Sequence, residues 1–132
     1  MAKLTADMMD FLKGKMAYVA TITPEGLPHI GPKGSFKVFD DEHIGWNEST
    51  GKQTFANLQS NTNVAIAVAD RESRIGYRFT GKAQVLRDGA LYDSTAEEYA
   101  KTGRKAPFAV VCMAVEDIYD VGAGASRGTK LT

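Results

Sequence analysis

The segment from Gly76 to Arg87 alternates between two kinds of side chain and is the clearest periodic pattern in the chain. One face is mostly apolar or small and the other is mostly polar: Tyr77, Phe79, Gly81, Ala83 and Val85 against Arg78, Thr80, Lys82, Gln84 and Leu86. A period of two residues is that of a half-buried β-strand. Residues 64–69 and 108–115 are apolar on both faces, which predicts two further strands that are covered on each side.

Turn signals between the apolar segments predict a mainly β protein with a meander of about six strands. Pro24-Glu25-Gly26 and Asp40-Asp41 are turn sequences, which favours antiparallel neighbours. The predicted strands cover residues 15–23, 28–39, 43–47, 64–69, 76–87 and 108–115, and the second of these is interrupted at 31–34. Short helices are predicted over 5–14, 53–59 and 88–103. Strands of this length and number close readily into a barrel, because closure removes the sheet edges.

Composition restricts the partners and the compartment that are expected. The 132 residues suit a single domain over 1–132, and 16 basic residues balance 16 acidic ones, so neither nucleic acid nor a membrane is expected to bind. Cys112 is the single cysteine and His29 and His43 are the two histidines, so no intrachain disulfide is possible and no metal site is expected. The start shows no signal-peptide pattern, so a cytoplasmic protein is expected. The glycine-rich residues 122–132 are predicted to form a flexible tail.

The strands that are apolar on both faces predict a homodimer. Each such strand needs two apolar neighbours, and the barrel interior supplies only one of them. Three short helices cannot cover every strand from outside, so the faces that remain are expected to meet a second subunit. The alternative is a monomer with scattered apolar residues on its surface, which is also common.

The segment from Trp46 to Thr54 leads from a strand end through a polar turn into a helix start. Free N–H groups and the helix dipole make a helix start an anion site. Ser49, Thr50 and Thr54 add hydroxyl donors, and Lys52 adds a positive charge that suits a phosphate. The alternative is an ordinary Ser or Thr helix cap beside a solvated lysine, which the spacing alone favours.

A second segment, from Pro28 to Ser35, interrupts a predicted strand with two prolines and two glycines. Such a break exposes backbone N–H and C=O groups, and glycine lets a flat ligand approach closely. A flavin ring needs a surface of this kind, because its pyrimidine edge alternates donors and acceptors that main chain can match. An ordinary bulge or bend at a barrel corner explains the segment equally well.

Six blocks of sequence occur in the order and spacing of one known family. They are Tyr18 to Ile30, Gly31-Pro32, Ile44 to Asn47, Gly51 to Leu58, Asn63 to Val68 and Tyr77 to Ala83. Together they resemble the pyridoxamine 5′-phosphate oxidase-like FMN-binding split-barrel proteins from about Lys15 to Val121, with the small bacterial FMN-binding proteins as the nearest likeness. The resemblance implies a six-stranded antiparallel split β-barrel and a homodimer that holds FMN between its subunits.

The resemblance also implies which residues hold FMN. The phosphate ligands would come from the loop and the helix start: Asn47, Ser49, Thr50, Lys52, Gln53 and Thr54. The isoalloxazine ring would face the backbone of the broken strand: Pro32, Lys33, Gly34 and Ser35. Many relatives carry a second basic residue beside the lysine, where this chain has Gly51 and Gln53, and this departure weakens the expected phosphate site. The full-length oxidase of this family needs basic and histidine residues near its C-terminus to hold pyridoxamine phosphate. This chain has no histidine there, so oxidation of pyridoxamine phosphate is not expected.

With FMN bound, the chain is expected to reduce a small molecule or to carry electrons, and Lys33 is expected beside the N1 and C2 carbonyl edge of the flavin. A pyridine nucleotide or a redox protein would donate electrons in a transient complex, since the chain has no G-x-G-x-x-G motif. Two alternatives stay open. One is a protein of the same fold that binds heme or a deazaflavin, and the other is a cofactor-free sensing or interaction module.

Overall fold

The computed structural model describes residues 2–132. In this part of the chain it contains three helices and seven strands: α1 (Ala6–Leu12), β1 (Ala17–Ile22), β2 (Pro28–Lys33), β3 (Lys37–Asp40), β4 (His43–Glu48), α2 (Gln53–Ser60), β5 (Asn63–Asp70), β6 (Ile75–Leu86), α3 (Gly89–Lys101) and β7 (Ala109–Asp120). The protein is mainly β, as the sequence predicts.

All seven strands belong to one antiparallel sheet with the order β2-β1-β5-β6-β7-β4-β3. The two outermost strands, β2 and β3, are consecutive in the chain and are joined by the short turn 34–36. A sheet whose edges are joined by so short a link must curl until those edges meet. Within residues 2–132 no ladder joins β2 to β3, so the barrel has one open seam. The predicted split barrel is therefore confirmed.

The predicted strand count is one too low, because residues 28–39 form two strands instead of one interrupted strand, and the interruption lies at 34–36 instead of the predicted 31–34. Residues 31–33 belong to β2 and lie opposite residues 17–19 of β1. Phe36 N donates to Lys33 O at 3.3 Å and closes a turn between them. After this turn the chain changes neighbours, since β2 pairs with β1 whereas β3 pairs with β4. A segment rich in proline and glycine suits either a bulge or a complete turn, and the local sequence does not distinguish the two.

The interior of the barrel is filled by large apolar side chains. Those buried completely include Trp46, Phe79, Leu12, Ile44, Ile66, Met113 and Ile118. Two glycines let β7 approach its neighbours: a Cβ on Gly45 would lie 1.8 Å from Val111 O, and one on Gly81 would lie 2.0 Å from Ala114 O. Both positions therefore require glycine, which holds β4 and β6 tightly against β7.

The helices agree closely with the sequence pattern. Thr5 caps α1, and its Oγ1 accepts a hydrogen bond from Met8 N at 3.2 Å. The bounds of α2 and α3 lie within two residues of those predicted, and α1 ends two residues earlier than predicted. Along the part of the chain that the structure describes, no helix combines the length and the apolar character needed to cross a membrane.

Within the single chain, the strand over residues 64–69 is covered on one face only, and the predicted cover of its second face by another subunit stays a prediction. Val64, Ile66 and Val68 are buried, whereas Ala65 and Ala67 are half-buried. These alanines lie in register with residues of β1, which in turn lie beside β2. The resulting surface is called here the outer apolar face and comprises Tyr18, Ala20, Ile30, Ala65 and Ala67.

The glycine-rich end folds back along β6 and β7. Ala123 N donates to Arg74 O at 3.0 Å, and Leu131 N donates to Ile118 O at 2.7 Å. Lys130 forms an isolated antiparallel bridge with Tyr119. These bonds define one conformation for the segment, and the predicted flexibility of residues 122–132 stays a prediction.

Candidate functional site

The turn between β4 and α2 requires a glycine. β4 ends at Glu48, and α2 begins at Gln53. Between them Gly51 has a φ of +64°, and a Cβ on it would lie 2.8 Å from the ring of Phe108. A larger residue would be strained in its backbone and would overlap this ring. The turn therefore excludes a basic residue at position 51, one of the two positions beside Lys52 where the resemblance leads one to expect it.

The start of α2 presents unpaired donors. Ala56 N donates to Lys52 O at 2.9 Å, and within residues 2–132 no side chain caps the helix. The N–H groups of Gln53, Thr54 and Phe55 therefore have no acceptor inside the helix. Lys52 is exposed at the N-cap position. An exposed ammonium beside free N–H groups is suited to an anion.

Lys33, from the end of β2, reaches the start of α2. Its Nζ donates to Thr54 Oγ1 at 3.4 Å and lies 3.5 Å from Glu48 Oε1. The same Glu48 oxygen accepts from Trp46 Nε1 at 3.1 Å. These four residues, called here the Lys33 cluster, are mostly inaccessible, since the side chains of Lys33 and Glu48 are 19% and 5% exposed. The cluster joins the two segments that the sequence analysis treats separately.

Ser35 and Asn47 connect the two segments a second time. Ser35 Oγ donates to Asn47 O and accepts from Asn47 N, both at 3.0 Å. Asn47 Nδ2 donates to Tyr99 OH of α3 at 3.0 Å. Asn47 Oδ1 is buried without a hydrogen-bond partner in the described chain. A buried acceptor in this state is one that a donor on a bound molecule can satisfy.

The other predicted ligands differ in their surroundings. Ser49 and Thr50 are exposed in the turn, and Pro32 and Gly34 are exposed at the end of β2. Gln53 instead points along the helix, because its Nε2 donates to Asn57 Oδ1 at 2.7 Å. Asn57 Nδ2 in turn donates to Thr21 Oγ1 at 2.9 Å, which ties α2 to β1. A contact of Gln53 with a phosphate stays a prediction.

Three residues of this candidate site were not predicted from the sequence: Glu48, Asn57 and Tyr99. Glu48 lies two residues after Trp46 on one face of β4, so the period of a strand could have linked the two side chains. Asn57 is fully buried, but its helix is predicted from apolar positions, which do not single out a polar residue. Tyr99 is separated from Asn47 by 52 residues, and only the tertiary structure brings them together.

Comparison with known proteins gives a consistent set of likenesses. A sequence model of the family described as "Pyridoxamine 5'-phosphate oxidase" matches residues 4–122. The crystal structure of HupZ from Group A Streptococcus is 38% identical, covers 95% of this chain and 99% of that chain, and has a TM-score of 0.84. A candidate pyridoxamine 5′-phosphate oxidase from Lactobacillus delbrueckii is 31% identical, covers 89% and 93% of the two chains, and has a TM-score of 0.75.

More distant likenesses follow the same pattern. The uncharacterized protein MJ0282 of Methanocaldococcus jannaschii is 26% identical over 130 residues, which are 96% of this chain and 86% of that protein. An FMN-binding protein from Syntrophomonas wolfei shares the fold at 13% identity and a TM-score of 0.70, over 88% of this chain and 82% of that one. An F420 reductase shares it at 20% identity and a TM-score of 0.62, over 80% and 89%.

Proposed function

Because the chain belongs to the pyridoxamine 5′-phosphate oxidase family, we propose that it is an FMN-binding flavoprotein, either an oxidoreductase or an electron carrier. One observation carries this proposal. Lys33, from the broken strand, donates to Thr54 in the first turn of α2 at 3.4 Å, so both predicted halves of a flavin site meet at one place.

The phosphate of FMN is proposed to bind at the start of α2. The free N–H groups of residues 53–55 supply directed donors, and Lys52 supplies an exposed charge. The hydroxyl groups of Ser49 and Thr50 are exposed in the adjoining turn and complete the donor set. These groups fit a phosphate monoester, which accepts several charge-assisted hydrogen bonds at once.

The ring of FMN is proposed to lie along the backbone of Pro32, Lys33, Gly34 and Ser35, while the side chain of Lys33 reaches the start of α2. Gly34 offers a surface without a side chain, and only Met16 Cε, at 3.9 Å, comes near the position of a Cβ there. These residues bind and orient the ring, and FMN, when bound, supplies the redox chemistry.

A second copy of the chain is proposed to cover the outer apolar face. Tyr18 and Ile30 are 51% and 68% exposed there, beside small alanines that leave the surface flat. Ile30→Asp is expected to produce monomers in sedimentation velocity, since a charge in an apolar interface is costly. Leu131→Asp, at an exposed apolar residue outside this face, is the control and should leave the wild-type species unchanged. A monomeric wild type would contradict the proposal.

The electron donor is proposed to be a pyridine nucleotide or a redox protein that binds transiently, in the cytoplasm. The absorbance spectrum of freshly purified protein, followed by release and chromatography of the chromophore, tests the cofactor directly. A flavin spectrum and released FMN are expected. A heme spectrum, or release of a deazaflavin, would contradict the proposal.

Titration of the apoprotein tests the phosphate site independently. FMN fluorescence should be quenched at micromolar protein, and riboflavin, which lacks the phosphate, should bind more weakly. Equal affinity for both flavins would remove the phosphate from the proposed site, and no quenching with either would favour a cofactor-free module.

A further inference from the structure

Glu48 places a carboxylate at the edge of a site that is proposed to bind an anion. Its side chain is 5% exposed, and it lies on the strand that leads directly into the proposed phosphate loop. Its Oε1 has two partners, Trp46 Nε1 at 3.1 Å and Lys33 Nζ at 3.5 Å. One oxygen of the carboxylate is therefore held by two partners.

The charge of Lys33 is opposed by Glu48 before any ligand arrives. Both groups are largely removed from solvent, where charges act on each other more strongly than in water. The ammonium also donates to Thr54, so a phosphate at the start of α2 would meet a lysine whose charge is already paired with Glu48. The attraction of the lysine for the phosphate would be reduced by the carboxylate beside it. The free charge at the site is then that of Lys52, together with the helix start.

We propose that Glu48 is a specificity-determining residue of the site: its carboxylate neutralises Lys33 and so limits how strongly the phosphate of a flavin nucleotide is preferred. The proposal rests on the proposed function, because it concerns the binding of FMN. It accounts for a lysine placed at the phosphate site that is already paired with a buried acid. It also identifies one side chain that controls the ratio of FMN affinity to riboflavin affinity.

The variant Glu48→Gln tests this proposal. The amide has nearly the same shape and can still accept from Trp46 Nε1, but it has no charge. The dissociation constant of FMN is expected to fall about tenfold, while that of riboflavin changes less than about twofold. Glu25→Gln, at an exposed acid in the turn after β1, removes the same charge elsewhere and should change neither constant.

A purely positional role for Glu48 makes the opposite prediction. If Glu48 only holds Lys33 in place, Glu48→Gln lowers FMN affinity, and the same substitution has no effect once Lys33 is replaced. Under the present proposal, Lys33→Met leaves the carboxylate unopposed and weakens FMN binding about tenfold, and adding Glu48→Gln to it recovers most of that loss. The double variant also keeps the test usable if Glu48→Gln alone fails to fold, because it leaves no unpaired charge in the cluster.

The outcomes separate the two proposals. If wild type binds FMN but Glu48→Gln leaves the ratio of FMN affinity to riboflavin affinity unchanged, only the role of Glu48 is overturned. A lower FMN affinity in Glu48→Gln, or no recovery in the double variant, has the same consequence. Absence of FMN binding in every variant, wild type included, overturns the proposed function and this inference with it.

Discussion

Lys33 and Lys52 both lie at the start of α2, but their surroundings are opposite. Lys33 is 19% exposed in its side chain and contacts Glu48 and Thr54. Lys52 is exposed at the N-cap, and within the described residues no carboxylate forms a salt bridge with it. The difference suggests a general rule: a lysine near a ligand site can offer an anion only the charge that its neighbours leave unpaired. The charge of Lys33 is paired within the fold, and that of Lys52 is open to solvent.

The largest expected effect comes from the turn between β4 and α2, in which Gly51 directly precedes Lys52. Gly51→Ala combines a φ of +64° with a Cβ 2.8 Å from the Phe108 ring, so we expect a loss of about 3 kcal/mol in the free energy of unfolding. Gly26→Ala is a matched control, because Gly26 has a φ of +87° and no atom of residues 2–132 lies within 4 Å of its Cβ position. It should lose about 1 kcal/mol. Equal losses in urea unfolding would show that Phe108 does not restrict the turn.

Replacing each lysine by methionine tests the difference between Lys33 and Lys52 most directly. Lys33→Met leaves Glu48 buried without its cation, and we expect it to lower the free energy of unfolding by about 2 kcal/mol, less than for a fully buried pair. Lys52→Met should change it by less than about 0.5 kcal/mol, since an exposed side chain is removed. Urea unfolding at one fixed protein concentration measures both. Similar losses would mean that the two lysines are not in different environments.

The sequence predicts what depends on local pattern and misses what depends on contact across the barrel. The alternation in 76–87 identifies β6, and the polar turn before Gln53 identifies the loop and helix start of the site. The pairing of Lys33 with Glu48 is not predictable in this way, because β2 and β4 are not neighbours in the sheet. The same holds for the bond between Asn47 and Tyr99. Local sequence also leaves open whether the predicted break is a bulge or a turn, and it places at 31–34 a break that the structure has at 34–36.

Flavin binding tests the availability of Lys52 to a phosphate. Lys52→Met should raise the dissociation constant of FMN about tenfold at low salt and leave that of riboflavin unchanged, since the lost contact is with the phosphate. The effect should shrink as salt is added, because exposed charges are screened. Fluorescence titration at two ionic strengths checks both points. A loss that is equal for the two flavins would place Lys52 beside the ring instead.

Replacing Lys37 is expected to have the smallest effect, and its surroundings differ from those of both Lys33 and Lys52. Lys37 is half-buried on β3, its Nζ donates to Thr95 Oγ1 at 3.3 Å, and no carboxylate of the described residues forms a salt bridge with it. Burial lowers the pKa of Lys37 below its ordinary 10.5, and the charge of Glu98 offsets part of this change. The folded protein therefore binds this proton less tightly than the unfolded chain.

The sign of the resulting pH dependence follows from that difference. Below the lowered pKa both states carry the charge, so its burial destabilises the fold in full. Between the lowered pKa and 10.5 the unfolded chain holds more protons, so stability increases with pH relative to a variant without the lysine. Lys37→Met should thus be more stable than wild type near neutral pH, by less than about 0.5 kcal/mol, and this advantage should disappear towards pH 10.5. An advantage that stays constant with pH would mean that Lys37 is as well solvated in the fold as Lys52.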